Sequence, residues 1–193
     1  MPLKGKALVF TGPDGSGRYT LAKAIGITLH LPIVVSYTTR PKRPYEVDGR
    51  DYHFVSEEQF KQLERDGQFI EVVQSDGFYY GIRKKDCEEL LEKAGSFIAV
   101  LSPQGCEIFK QIFDQTLTIF VYADKDTVIE RQRKRGDDPE TIERHMKHYE
   151  EIMAYKDKCD ISVPNYDLAS TAQELTKRIE TFLGIEHHPD SRY

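Results

Sequence analysis

Gly12-Pro13-Asp14-Gly15-Ser16-Gly17-Arg18-Tyr19-Thr20 comes within two letters of the pattern G-x-x-x-x-G-K-[ST], and it lies between a strand signal and a helix signal, where that pattern has meaning. Before it, Ala7-Leu8-Val9-Phe10 forms an apolar run that predicts a buried strand over 6–11, closed by Gly12 and Pro13. After it, Leu21, Ala24, Ile25, Thr28 and Leu29 recur at helical spacing until Pro32 intervenes. Glycines let successive backbone N–H groups turn toward one anion, and the start of a helix adds about half a positive charge there. Gly12, Asp14, Gly15, Ser16, Gly17, Arg18, Tyr19 and Thr20 are therefore the candidate phosphate-binding residues.

Two positions depart from the pattern. Arg18 stands where a lysine would reach the outer phosphates, and Tyr19 where a small hydroxyl would meet magnesium. A planar guanidinium keeps the charge but prefers bidentate geometry, and a phenol carries its oxygen a ring's length further out. Thr20 comes one residue late and reads equally well as an ordinary helix residue.

Working outward, a second apolar run over 33–36 predicts another strand, and the basic, proline-broken stretch 38–49 predicts an exposed loop. Ser56-Glu57-Glu58-Gln59 is a capping box for a helix that Gly67 ends. Segments 69–74 and 78–80, joined through Ser75-Asp76-Gly77, carry a hairpin signal. Helices over 86–94 and 105–113 then alternate with strands over 97–101 and 117–122, as a parallel sheet requires. Charged helices over 126–135 and 139–155, a strand over 161–163 and a helix over 171–183 follow, with a frayed tail expected from Glu186. The expected fold is α/β, a parallel sheet with helices on both faces, interrupted by two stretches of about 37–84 and 125–148.

The chain has 193 residues, 39% of them apolar, which suits one domain with lobes built as insertions. Lys plus Arg number 27 against 32 Asp plus Glu, for a net charge of −5, which argues against a general nucleic-acid binder. No apolar run approaches the ~20 residues that cross a bilayer. The first residues lead straight into the strand with no secretion signal. Cys87, Cys106 and Cys159 are odd in number and show no metal or redox spacing; Lys147 and His148 complete none either. A reducing cytoplasm is the expected compartment.

The stretch Ser36-Tyr37-Thr38-Thr39-Arg40-Pro41-Lys42-Arg43-Pro44-Tyr45-Glu46 followed by Asp51-Tyr52-His53-Phe54, taken with the glycine loop, resembles the guanylate kinase signature. Phe69-Ile70-Glu71, Tyr79-Tyr80-Gly81, Arg131, Arg135-Gly136, Arg144 and Asn165-Tyr166-Asp167-Leu168 continue the resemblance in order, over about 5–184. The resemblance implies a P-loop NTPase-like core at about 1–36, 85–124 and 149–185. It also implies an inserted monophosphate-binding lobe at about 37–84 and a short lid at about 125–148. The implied reaction is ATP plus GMP to ADP plus GDP, with Mg2+ carried on ATP.

By the same resemblance Arg40, Arg43, Tyr52 and Tyr80 would grip the GMP phosphate, both arginines standing exposed without ligand. Glu71 would read guanine, whose N1–H and 2-amino group both donate to a carboxylate, whereas adenine offers an acceptor at N1; such a mismatch discriminates ~10⁴-fold or more. Ser36 and Glu46 match the remaining nucleoside contacts, and Asn165 the adenine side. Arg18, Arg40, Arg135 and Arg144 would carry the catalytic charge, with Arg131 beside them in the lid. Taken singly, Arg40 and Arg43 read as solvated charge and Tyr80 as packing. Val100 and Ser102 stand where similar kinases carry aspartates, and Ile82 where they carry a hydroxyl for guanine O6. These departures imply reduced turnover. They also leave open an altered base choice, or an inactive binding module for GMP or a phosphorylated peptide.

Overall fold

The computed structural model describes residues 3–185; the tail from Glu186 lies outside them. Strand β1 (Leu3–Thr11) is the centre of a parallel sheet ordered β6-β1-β7-β8, with β6 at Ser96–Val100, β7 at Phe113–Tyr122 and β8 at Ile161–Pro164. Successive strand residues point to opposite faces, and β1 is apolar on both. Ala7 and Val9 join Phe97, Phe109, Phe113 and Phe120 on one side. Leu8 and Phe10 join Leu21, Ile25, Ile119, Leu175 and Ile179 on the other. Helices α3 (Lys84–Ala94) and α4 (Pro103–Ile112) cover the first face, and α1 (Arg18–Leu29) and α8 (Leu168–Leu183) the second. A run of four apolar letters thus becomes a strand buried on both sides, as a covered parallel sheet demands.

A second sheet, ordered β3-β2-β5-β4, is built within the interruption at 37–83: β2 at Tyr37–Thr38, β3 at His53–Phe54, β4 at Phe69–Ser75 and β5 at Phe78–Arg83. The β4–β5 hairpin turns on Asp76 and Gly77, with φ of 50° and 79°, the two positive values that a two-residue turn needs to match strand twist. Helix α2 (Glu57–Arg65) starts on the expected capping box, Ser56 and Gln59 bonding reciprocally.

Three expectations need correction. Residues 33–36 form no strand of their own: Ile33 makes a single parallel bridge to Ile98 at the edge of β6, since Pro32 can donate nothing and the chain leaves at once for the second sheet. The stretch 38–49 is not uniformly exposed, because Thr38 enters β2 and Glu46 is buried under Arg40. The helix expected over 139–155 breaks at His148 into α6 (Pro139–Lys147) and α7 (Tyr149–Ala154), following α5 (Lys125–Arg135).

Ser102 has a structural duty. Its Oγ accepts from the Gly105 amide at 3.3 Å and caps α4, with Pro103 in the first turn. Ser102→Ala is expected to lower stability by about 1 kcal/mol in urea unfolding, whereas Ser102→Asp should hold it, since aspartate caps as well as serine. Equal losses for both variants would show that the cap contributes nothing.

Candidate active site

All the strands of the parallel sheet run the same way, so the segments leaving their carboxyl ends converge on one edge, where α/β sheets bind ligands. The loop after β1 lies there. Gly12 has φ 140° and a Cβ on it would fall 1.9 Å from the Val121 carbonyl oxygen; Gly17 has φ 84° and a Cβ would fall 2.5 Å from Asn165 Nδ2. No side chain fits at either position. Gly17 caps α1 without a side-chain bond, which leaves first-turn N–H groups for an anion.

The loop is braced from behind. Asn165, buried, donates to the Ser16 carbonyl at 2.9 Å. Arg131 donates to the carbonyls of Gly15 at 3.4 Å, Ser16 at 3.3 Å and Asn165 at 2.7 Å. Of the arginines expected over the phosphates, Arg131 is thus a brace for the loop's backbone as well as a cavity-lining residue. Arg18 folds back, donating to the Gly12 carbonyl at 2.5 Å with its other nitrogen 3.6 Å from Asp14. Burial would raise the Asp14 pKa, but Arg18, His145, Arg135 and Arg43 together hold it below the ordinary value.

One cavity of about 430 Å³ joins this loop to the second sheet and to α5 and α6. Arg40 lays its fork on Glu46 at 2.7 and 3.1 Å, and the Arg43 amide donates to the same carboxylate at 2.7 Å. Burial would lift Glu46; the Arg40 bonds and the Arg43 amide hold it low instead. Arg43 lies 3.7 Å from Asp137, which also pairs with Arg135. The side chains of Arg40 and Arg43 are 13% and 25% exposed, so the expectation that both stand free in solvent is wrong; each has an internal carboxylate. Tyr52 and Tyr80 meet edge to face, and burial pushes the Tyr80 phenol up to about 12. Glu71, Ser36 and Thr20 also line the cavity. Arg144 bonds Thr141 at 3.0 Å and reaches Glu140 at 3.5 Å, apart from the cavity wall. Sequence reading overlooked Asp76, which lines the cavity and lies 3.7 Å from His145 and 3.3 Å from His148; its Asp-Gly turn announced only a hairpin.

Magnesium finds poor support in these side chains. The Tyr19 phenol donates to Asp51 at 3.2 Å, Ser102 Oγ is engaged in capping, and Val100 is apolar. No cluster of three or more acidic, histidine or cysteine side chains suited to a metal occurs among the described residues.

A glycine loop at the carboxyl end of a central parallel strand, opening on an arginine-rich cavity, defines a P-loop phosphate-binding protein of the α/β class. The family model described as Guanylate kinase matches residues 4–182. The chain belongs to the guanylate kinase family. It is 35% identical to the guanylate kinase of Thermosynechococcus vestitus, over 92% of this chain and 95% of that one. It is 33% identical to that of Nostoc sp., over 90% and 89%. The crystal structure of guanylate kinase from Anaplasma phagocytophilum superposes with a TM-score of 0.73 at 26% identity, covering 92% of this chain and 85% of the other. No helix among the described residues is long and apolar enough to cross a membrane.

Proposed function

We propose that the protein transfers a phosphoryl group from ATP to GMP, with residues of about 37–84 acting as the monophosphate lobe and those of about 125–148 as the lid. The observation that carries this reading is the single cavity in which the glycine loop, the Arg40–Arg43 pair and a buried Glu71 face one another. In-line transfer needs no covalent enzyme intermediate, so the side chains must align two nucleotides, exclude water and balance charge. The loop amides and Arg18 hold the donor phosphates. Arg40, Arg43, Tyr52 and Tyr80 hold the acceptor phosphate, Ser36 and Glu71 the nucleoside, while Glu46 aims the Arg40 side chain and fixes the Arg43 backbone. Arg135 supplies charge at the transferred group. Arg144 would have to leave Thr141 to assist, and Asn165 acts through the loop carbonyl it supports, beside the adenine side. Magnesium would arrive with ATP and would supply charge neutralisation at its phosphates, without a side-chain site of its own here. With Arg18, Tyr19, Val100 and Ser102 on the donor side, turnover is reduced. The free thiols suit a reducing cytoplasm.

Calorimetry at pH 8.5 tests this: GMP should bind at least about tenfold tighter than AMP, the discrimination expected of a buried carboxylate meeting two donors rather than a donor and an acceptor. Equal affinities, or no GMP binding, would overturn the reading.

A further inference from the structure

Glu71 is a carboxyl group without a partner for its charge. It is 4% exposed and its Oε1 accepts no hydrogen bond. Opposite it in the β4–β5 register is Ile82, fully buried. From α4 comes Gly105, on which a Cβ would stand 3.0 Å from Oε1, so the bare backbone leaves the carboxyl its space. From α3 comes the Cys87 thiol, itself pushed up by burial and uncharged. Val73, Val100 and Leu101 line the same cavity. The cavity's guanidiniums are engaged elsewhere: Arg40 on Glu46, Arg43 and Arg135 on Asp137, Arg18 on Asp14, and Arg131 on the carbonyls of Gly15, Ser16 and Asn165. Burial alone therefore governs Glu71 and pushes it up to about 8.

The two protonation states read different edges of a purine. An ionised carboxylate has only acceptors, and among the common purines guanine alone offers two adjacent donors, at N1 and the 2-amino group. A carboxylic acid has one donor and one acceptor. It pairs with positions 1 and 6 of guanine or hypoxanthine, donating to O6 and accepting from N1–H. By turning its proton to the other oxygen it pairs with adenine, donating to N1 and accepting from the 6-amino group. Ile82 brings no donor that would pick out a 6-oxo group.

Resting on the reading that this cavity takes GMP, we propose that its base site meets the nucleobase with a neutral Glu71 acid and accepts purine nucleoside monophosphates as a class, inosine and adenosine monophosphates included. Guanine selectivity then belongs to the ionised form. As pH rises, ionisation adds a charge-assisted bidentate contact that only guanine can complete.

The test is calorimetric, on the full chain, with GMP, IMP and AMP at pH 6.5 and 8.5, for the parent and for Glu71→Gln. Glutamine presents one donor and one acceptor at every pH and so imitates the neutral acid. Ratios of affinities are compared, because the ionisation of the phosphate is common to all three ligands. In the parent the three ligands should bind within about fivefold of one another at pH 6.5. By pH 8.5 GMP should lead IMP and AMP by more than about tenfold, since the ionised-to-neutral ratio of Glu71 rises about a hundredfold over that interval. Glu71→Gln should show the narrow spread at both pH values. GMP selectivity that is already strong at pH 6.5 and stays so at pH 8.5 would overturn the proposal while leaving the acceptor reading intact, whereas equal affinities at both pH values would overturn both. Failure of GMP to bind at either pH would overturn both.

Discussion

An Arg40→Ala variant is expected to lose about 3 kcal/mol of stability at neutral pH, because it leaves the buried Glu46 charge without its guanidinium. That is a larger and different outcome from simple loss of a phosphate ligand. The pH dependence identifies the cause. Glu46 titrates below its ordinary range in the folded protein, so its pairing stabilises the fold at and above the usual glutamate range, and this contribution fades as pH falls through the lowered native value. The deficit of Arg40→Ala should shrink in the same acidic interval, as the stranded carboxylate takes up a proton, and adding Glu46→Gln should recover part of it at neutral pH. Arg43→Ala, whose contact with Asp137 is looser at 3.7 Å, should unfold like the parent yet weaken GMP binding by about 1.5–3 kcal/mol, the range for charge-assisted bonds. Denaturant titrations at pH 7 and pH 4 decide the matter; an Arg40→Ala protein as stable as the parent at pH 7 would show that the pair is dispensable to the fold.

Rebuilding the donor side should raise kcat by at least about tenfold, since individual phosphate-site groups are each worth orders of magnitude although they do not add. The variant is Arg18→Lys with Tyr19→Ser and Ser102→Asp. Its design follows from the geometry: serine releases the hydrogen bond to Asp51, and aspartate at 102 keeps the cap on α4. Asp51 retains its bonds to the Val47 amide and to Arg50, so the acceptor side should keep its GMP affinity within about threefold. Steady-state kinetics with GMP titrated at saturating ATP would show this as a change in kcat with little change in KM. A parent already turning over at ~10–100 s⁻¹ would mean that Arg18 and Thr20 serve competently as they stand.

The features legible in the sequence were those whose physics is local. The glycine loop, the capping box at Ser56 and the Asp76-Gly77 turn each need a particular backbone conformation that few residues supply, so their letters announce them. The apolar run of β1 did the same for a strand covered on both faces. What escaped were pairings made across the fold. Nothing near residue 46 shows that Glu46 will sink beneath Arg40, and a basic, proline-rich stretch reads as solvated until that carboxylate is seen to hold the Arg40 side chain and the Arg43 backbone in place. Arg131 looked like any lid arginine, because the loop carbonyls it braces, at Gly15 and Ser16, lie more than a hundred residues away. Residues 33–36 have the composition of a strand, but whether an apolar run pairs fully depends on where the chain must go next. Glu71 was legible as a site residue; its protonation was not, since that depends on what surrounds it from β5, α3 and α4.

The carboxylate bridge at Asp137, with Glu46 and Asp14, makes the ligand-free cavity an almost electroneutral compartment. Arg18, Arg40, Arg43, Arg131 and Arg135 bring five positive charges, and Asp14, Glu46, Asp51, Asp76 and the bridging Asp137 return five. Five guanidiniums gathered with no counter-ion would repel one another and advertise themselves to any polyanion at a distance. With carboxylates matching them in number, the field reaching beyond the mouth is nearly cancelled, on a chain whose total is −5. A phosphate must therefore come close enough to exchange places with a carboxylate before the arginines register it. Selection occurs at contact rather than by long-range attraction.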